Sequence, residues 1–179
     1  MKAVAAMVTS NGILADVGTD HGYVPIALVQ RQKIPGAIAM DINKGPLARA
    51  KENIAAAHLE DYIQIRLSDG VEELEPGEAD SILIAGMGGE LIIHILSEGE
   101  KVCKKASELI LQPQSDIRKV REYLREHQYK IVDEDMDITD ETVIYESKIL
   151  DSHPLKYYIV HKPSGYVCAN KDPHDPCLI

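Results

Sequence analysis

Ile13-Leu14-Ala15-Asp16-Val17-Gly18-Thr19-Asp20-His21-Gly22-Tyr23 is the stretch that decides the fold. Residues 13–17 form a short apolar run stopped by a glycine. From residue 21 to 32 the apolar positions recur at helical spacing, with Pro25 in the first turn, where its missing N–H does no harm. A strand that passes through a glycine turn straight into a helix opens a right-handed βαβ unit.

Outward from that turn the alternation continues. Apolar runs at 37–40, 62–67, 81–85 and 109–112 predict four further strands, and amphipathic stretches at 44–58, 90–97 and 116–127 predict helices between and after them. Runs at 129–135 and 143–149 predict two closing strands, paired antiparallel. The expected fold is α/β and Rossmann-like: a mostly parallel seven-stranded sheet with an antiparallel closing strand and helices on both faces. Of 179 residues, 45% are hydrophobic, with neither Trp nor Phe, so the core must be aliphatic, as is common where parallel strands are buried on both faces. Near Asp151 the composition changes, and Pro154, Pro163, Gly165, Pro173 and Pro176 follow. Residues 1–150 therefore read as one domain and 151–179 as a short irregular appendage, open to being a truncated second domain.

The formal net charge of −10 argues against a protein that coats nucleic acid nonspecifically, while leaving room for a local basic face. Cys103, Cys168 and Cys177, an odd set without regular spacing, fit reduced thiols in a cytoplasm. Cys168, His174 and Cys177 hold no Cys-x-x-Cys pair and lack a fourth ligand, so no metal is expected. No apolar run is long enough to cross a bilayer, so no membrane association is expected. The apolar start, residues 1–8, reads as the last turns of an amphipathic helix rather than as a signal peptide.

Four strand ends carry the chemistry. In the first loop Gly18 and Gly22 permit a tight turn and close approach of a ligand, and the next helix offers free N–H groups. A pyrophosphate would want G-x-G-x-x-G. This chain has D-x-G-x-D-x-G, and Asp16 and Asp20 suit a cationic ligand such as the aminoacyl and sulfonium part of S-adenosylmethionine. A plain strand-to-helix turn is the competing reading of that loop taken alone. Asp41 ends the second strand, where Rossmann-like folds place the acid that holds ribose hydroxyls. The alternative is that Asp41 caps the next helix, a task Asn43 is also placed to take. After the third strand, Asp69 of Ser68-Asp69-Gly70 can accept from an adenine's exocyclic amine or simply face solvent. After the fourth come Ala85-Gly86-Met87-Gly88-Gly89, three glycines able to border a planar group. Strands one and four flank the switch in strand order, so residues 86–89 should lie beside Gly18.

These passages, with Leu109-Ile110-Leu111-Gln112-Pro113, resemble the bacterial tRNA (adenine-22-N1)-methyltransferases, over roughly residues 2–150. The resemblance implies a class I methyltransferase fold, S-adenosylmethionine as cofactor, and N1 of an adenine in tRNA, or in another structured RNA, as acceptor. It implies that Gly18, Asp20 and Tyr23 border the methionine part, with Asp16, Thr19, His21 and Gly22 in the same loop. Asp41 would hold the ribose, flanked by Ile42 and Asn43. Asp69, next to Gly70, would meet the adenine edge, and Gly86 and Met87, after Ala85, would lie between cofactor and target base. Asp20, Gly86 and Met87 are the candidate catalytic residues, and Gly88, Gly89, Arg118 and Arg121 the candidate substrate contacts. Two departures stand out: the helical extension that family members carry after the catalytic domain is not found, and the N-terminus starts slightly late. Residues 157–168, with Lys162-Pro163-Ser164-Gly165, are similar to the opening strand of ribosomal pseudouridine synthases, without their catalytic Asp. A fusion cut short, or a replaced tail, would account for them.

Neutral adenine N1 carries a lone pair, so alignment rather than a strong base should dominate catalysis, with the base flipped out of its stack. The Asn-Pro-Pro-Tyr motif common among exocyclic-amine methyltransferases is absent after strand four, which favours ring-nitrogen chemistry. For RNA contact three basic clusters are available: Arg118, Lys119, Arg121 and Arg125; Lys101, Lys104 and Lys105; and Lys156, His161 and Lys162. Each also fits an ordinary solvated face. The rival readings are a nicotinamide-dependent dehydrogenase, which the missing third glycine and Asp20 oppose, and a non-catalytic nucleotide-binding module. Oligomeric state is not legible.

Overall fold

The computed structural model describes residues 2–9, 11–137, 142–145, 148–151 and 156–161. In chain order its elements are α1 (Lys2–Met7), β1 (Ile13–Val17), α2 (Tyr23–Gln30), β2 (Gly36–Asp41), α3 (Lys44–Ala56), β3 (Ile63–Leu67), β4 (Ser81–Met87), α4 (Gly89–Glu98), α5 (Glu100–Cys103), β5 (Glu108–Pro113), α6 (Ile117–Glu126), β6 (Ile131–Asp137), β7 (Thr142–Tyr145), β8 (Lys148–Asp151) and β9 (Lys156–His161).

Five strands run parallel in the order β3-β2-β1-β4-β5, which is the Rossmann-like arrangement expected. The order reverses between β1 and β4, and Val17 is level with both Met40 and Ile84. The carboxyl ends of these strands therefore share one rim. The strands alternate strictly between two cores. Ala15, Val17, Ile82, Ile84, Leu109 and Leu111 pack on the face covered by α4 and α6, through Ile92, Leu96, Val120 and Leu124. Leu14, Ala37, Ala39, Leu83 and Ile110 pack on the opposite face with Val4, Leu28 and Ile54, from α1, α2 and α3. Period-two alternation in strands buried on both sides thus builds a three-layer molecule from a mainly aliphatic core, with Tyr129 buried at one edge. Each fully buried Leu or Ile contributes about 1.5–3 kcal/mol of burial.

Three expectations are corrected. Helix α2 begins at Tyr23, two residues later than the spacing predicts, because Gly22 has φ +68°, a left-handed conformation that no helix interior admits. Residues 143–149 are not one closing strand. Residues 143–145 belong to β7 and 148–149 to β8, and these two strands pair with each other in a separate two-stranded sheet, Val143 opposite Leu150 and Ile144 opposite Ile149. The reading of everything beyond Asp151 as irregular also fails for residues 156–161. That run, rich in Tyr and β-branched residues, is extended and pairs antiparallel with β5 and β6. The tail cysteines, His174 and Lys162 lie outside the described residues. Among the described residues no helix is long and apolar enough to cross a membrane, and no group of metal-ligating side chains occurs.

Candidate active site

The first and second loops are tied by backbone. Gly18 and Thr19 both donate to the Met40 carbonyl at 2.8 Å, which folds the glycine turn over the end of β2. The first and fourth loops also touch. A Cβ on Gly18, at φ +77°, would lie 2.2 Å from the Met87 methyl, so residues 86–89 lie beside Gly18 as the strand order requires.

Asp16 is the penultimate residue of β1, on the α2–α3 side of the sheet, and is buried. Desolvation pushes its carboxyl up to about 6, a rise that the Asp41 charge adds to and the Thr19 hydroxyl moderates. Thr19 Oγ1 is itself buried and makes no hydrogen bond of full geometry. Asp20, by contrast, is exposed. Arg49 of α3 holds one oxygen at 2.6 Å, His21 Nε2 lies 3.2 Å from the other, and the Arg49 hydrogen bond draws the carboxyl below its ordinary pKa. One turn further along α3, Asn53 donates to the His21 carbonyl at 2.9 Å. The His21 ring stacks on Tyr23, centroids 5.0 Å apart, and Tyr23 is half exposed at the rim.

On the β2 side Asp41 Oδ1 accepts the Asn43 N–H at 2.7 Å, an Asx-type turn. Asn43 occupies the N-cap position of α3, but its side chain makes no capping bond there, contrary to the task expected of it. The Asx turn fixes the chain direction and, among the described residues, leaves the other Asp41 oxygen without a bond. Ile42 beside it is exposed. The Ser68 N–H donates to the Asp41 carbonyl at 3.0 Å, which brings Asp69 and Gly70 alongside. These two also border a cleft of about 510 Å³ that runs down the flank between residues 69–76 and the far end of α4, past His94 and Glu98. That cleft leads away from Gly18 and meets the rim only at Asp69 and Gly70.

At the end of β4 the ladder with β5 breaks between Ala85 and Met87. Gly86 forms the bulge, at φ +76° with open space where a Cβ would be. Its N–H donates to Gln112 Oε1 at 2.8 Å, and Gln112 is buried. Gly89 approaches the loop after β5 closely, donating to the Ser115 carbonyl at 3.1 Å, and a Cβ there would sit 2.5 Å from that oxygen. Lys119 bridges Glu90 at 2.6 Å and Asp116 at 3.1 Å, joining the first turns of α4 and α6 at the same rim. Of the two arginines proposed to meet substrate, Arg118 is exposed and pairs with Glu122, while Arg121 is half-buried and holds Glu134 through two nitrogens.

The residues singled out from sequence thus assemble along one rim, apart from Arg118 and Arg121, which project from α6. Local reading missed Arg49, Asn53, Gln112 and Ser115. Each acts on a loop more than 25 residues away, and no spacing rule reaches that far. The quoted Gln112-Pro113 passage was the one available signal.

Residues 1–147 match the methyltransferase domain family. The chain belongs to that family. Within it, the tRNA (adenine(22)-N(1))-methyltransferase of Bacillus subtilis (strain 168) is 40% identical over 134 residues, 75% of this chain and 56% of that protein. The methyltransferase chain spans about half the length of the curated relatives it matches. The crystal structure of the B. subtilis m1A22 tRNA methyltransferase has 35% identity and a TM-score of 0.77, covering 91% of this chain and 64% of that one. The Mycoplasma capricolum structure in complex with S-adenosyl-homocysteine has 29% identity and a TM-score of 0.75, covering 97% and 70%.

Proposed function

We propose that this methyltransferase transfers a methyl group from S-adenosylmethionine to N1 of an adenine in tRNA, at position 22 by its likeness to the relatives named above. The observation that carries the reading is the meeting of the Asp16–Tyr23 loop, Asp41, Asp69 and the Gly86 bulge on one rim, with Gly18 against Met87. The pocket suits the cofactor chemically: a buried carboxylate at Asp16, with a buried Thr19 hydroxyl beside it, wants polar, cationic company. Asp41 has one oxygen open to ribose hydroxyls, and Ile42 offers an exposed apolar face. Asp69 would accept from the adenine amine. When bound, S-adenosylmethionine supplies an electrophilic methyl on a sulfonium.

The chain's own part is alignment. Adenine N1 attacks the methyl carbon with its lone pair as the methyl–sulfur bond breaks, so no residue must first remove a proton; the sulfur keeps the bonding pair and leaves as a neutral thioether, and the positive charge passes to the methylated base. Backbone groups of residues 86–89, with the Met87 side chain beside them, would hold the flipped base at attack distance, an effect that can offset ~7–11 kcal/mol of barrier. Asp20, pinned by Arg49, adds a negative charge near the positive charge that develops. Arg118 would meet RNA phosphates, and Arg121 would act by fixing α6 against β6. The seven-stranded closure belongs to this proposal, with β9 between β5 and β6. So does a cytoplasmic location, which follows from tRNA as substrate.

Labelled methyl transfer to a tRNA transcript, followed by mapping of the modified nucleotide, tests the reading. The expected result is label on N1 of one adenine, lost in Asp41→Ala and weakened steeply by salt. Label elsewhere, or transfer that ignores Asp41→Ala, would refute it.

A further inference from the structure

Among the described residues the Gly86 bulge is held by one side chain, Gln112. Where β4 leaves its ladder with β5, Gly86 takes a left-handed conformation, and its N–H loses the regular backbone partner. Gln112 Oε1 replaces that partner at 2.8 Å from within β5. Gly86 itself is exposed while Gln112 is buried, so this bond ties an exposed bulge to the fixed body of the sheet, beside the Gln114 N–H that donates to the Met87 carbonyl at 2.8 Å. The oxygen assignment is fixed by chemistry, since only the carbonyl side of the carboxamide can accept from an N–H. Among the described residues nothing beyond its chain neighbours lies within 4 Å of where a Gly86 Cβ would be, so the outer face of the bulge is open. The next residue, Met87, lies against Gly18. A change in the bulge therefore moves the group that separates the first loop from the acceptor side.

We infer that Gln112 is a positioning residue for methyl transfer: it pins the Gly86 bulge, and through it the backbone that meets the acceptor base, without touching the cofactor loops at Asp16, Asp41 and Asp69. This rests on the methyltransferase reading proposed above and adds to it a residue on which turnover should depend and cofactor affinity should not.

The test compares the chain with Gln112→Met, which keeps volume and loses the acceptor, and Gln112→Glu, whose carboxyl still accepts from an N–H whether or not it is ionised. Three quantities are read: hydrogen exchange of the Gly86 amide by NMR, S-adenosylmethionine affinity by calorimetry, and kcat and KM with a tRNA transcript. In Gln112→Met the Gly86 amide should exchange at least tenfold faster and kcat should fall about tenfold to a hundredfold, since small misplacements near a reacting centre cost that much. Cofactor affinity should stay within about threefold, and Gln112→Glu should restore most of both losses. A Gly86 amide that stays protected in Gln112→Met, or a kcat that stays level, overturns the inference. So does a kcat loss matched by an equal loss of cofactor affinity, or one that Gln112→Glu shares in full. If the unsubstituted chain neither binds S-adenosylmethionine nor methylates tRNA, the methyltransferase reading falls and takes the catalytic half of this inference with it. The exchange rate of Gly86 still reports separately on whether Gln112 pins the bulge.

Discussion

Two buried carboxylates sit at opposite ends of the same sheet, and they are treated differently. Glu108 opens β5 at the amino end, fully buried, and its Oε1 accepts from the Thr9 N–H at 2.7 Å, the Thr9 hydroxyl at 3.0 Å and the Ser81 hydroxyl at 2.6 Å. Beside it Lys33 binds the Ala5 and Ala6 carbonyls, and its ammonium interacts favourably with Glu108. Asp16, next to last in β1 at the carboxyl rim, is also buried, with the Thr19 hydroxyl close and the Asp41 charge pushing against it. Glu108 Oε1, with three donors on it, is committed to holding the N-terminal segment against the sheet, while its Oε2 is buried without a partner among the described residues. Asp16 is uncommitted, and a buried acid in that state is stabilised when a ligand brings positive charge or donors. Burial alone does not separate structural from functional carboxylates in this fold. The number of donors already aimed at the group does.

Breaking the committed end should have the largest effect. Glu108→Ala leaves the Thr9 and Ser81 donors facing an apolar gap and should cost about 3 kcal/mol in a denaturant titration, whereas Glu108→Gln, which keeps an acceptor, should cost less than ~1 kcal/mol. Equal losses would mean that the charge, not the hydrogen bonds, is what matters at this pole.

The rim carboxylate should show the opposite sign. With its folded pKa near 6 and an unfolded value near 3.8, Asp16 binds more protons in the folded than in the unfolded state between those limits. Its contribution is therefore best at low pH and declines as pH rises from about 4 through 6. The penalty at pH 7 is about 3 kcal/mol by linkage, taken as an order of magnitude. Asp16→Asn should stabilise the ligand-free chain at pH 7 and flatten this part of the pH–stability curve. A loss of stability at pH 7 would show that Asp16 is committed after all.

Smaller effects sharpen the account of the rim itself. Gly18→Ala should cost about 1–2 kcal/mol, because φ +77° penalises any L side chain and the Met87 methyl must also move. Gly86→Ala, at φ +76° but facing open space, should cost only the conformational share, about 1 kcal/mol. Matching losses would mean that Met87 does not rest on Gly18.

How much of this was legible in the sequence follows from the range of the forces involved. The alternation of strands and helices, the aliphatic core and the meeting of residues 86–89 with Gly18 could all be read. Period-two and helical spacing are local, and the strand-order rule carries them into three dimensions. The start of α2 was misread because apolar spacing continues through His21 while Gly22 takes a left-handed turn. Residues 143–149 carry apolar positions enough for one strand, and local pattern does not distinguish that from the two short strands of a hairpin. The extended run at 156–161 was hidden by the prolines around it. Asp20 was read for a ligand without sight of Arg49, and the Gln112 link to Gly86 spans residues far apart in sequence. Side chains that hold loops from a distance leave no periodic trace.

The claim that the rim pocket waits for a cation is tested most directly by calorimetric titration of S-adenosylmethionine into the unsubstituted chain and Asp16→Asn at pH 5 and pH 7. Affinity for the unsubstituted chain should rise several-fold with pH, as Asp16 ionises, and Asp16→Asn should bind more weakly and with no such dependence. Equal affinity of the two proteins at both pH values, or heat of binding in neither, would contradict the account.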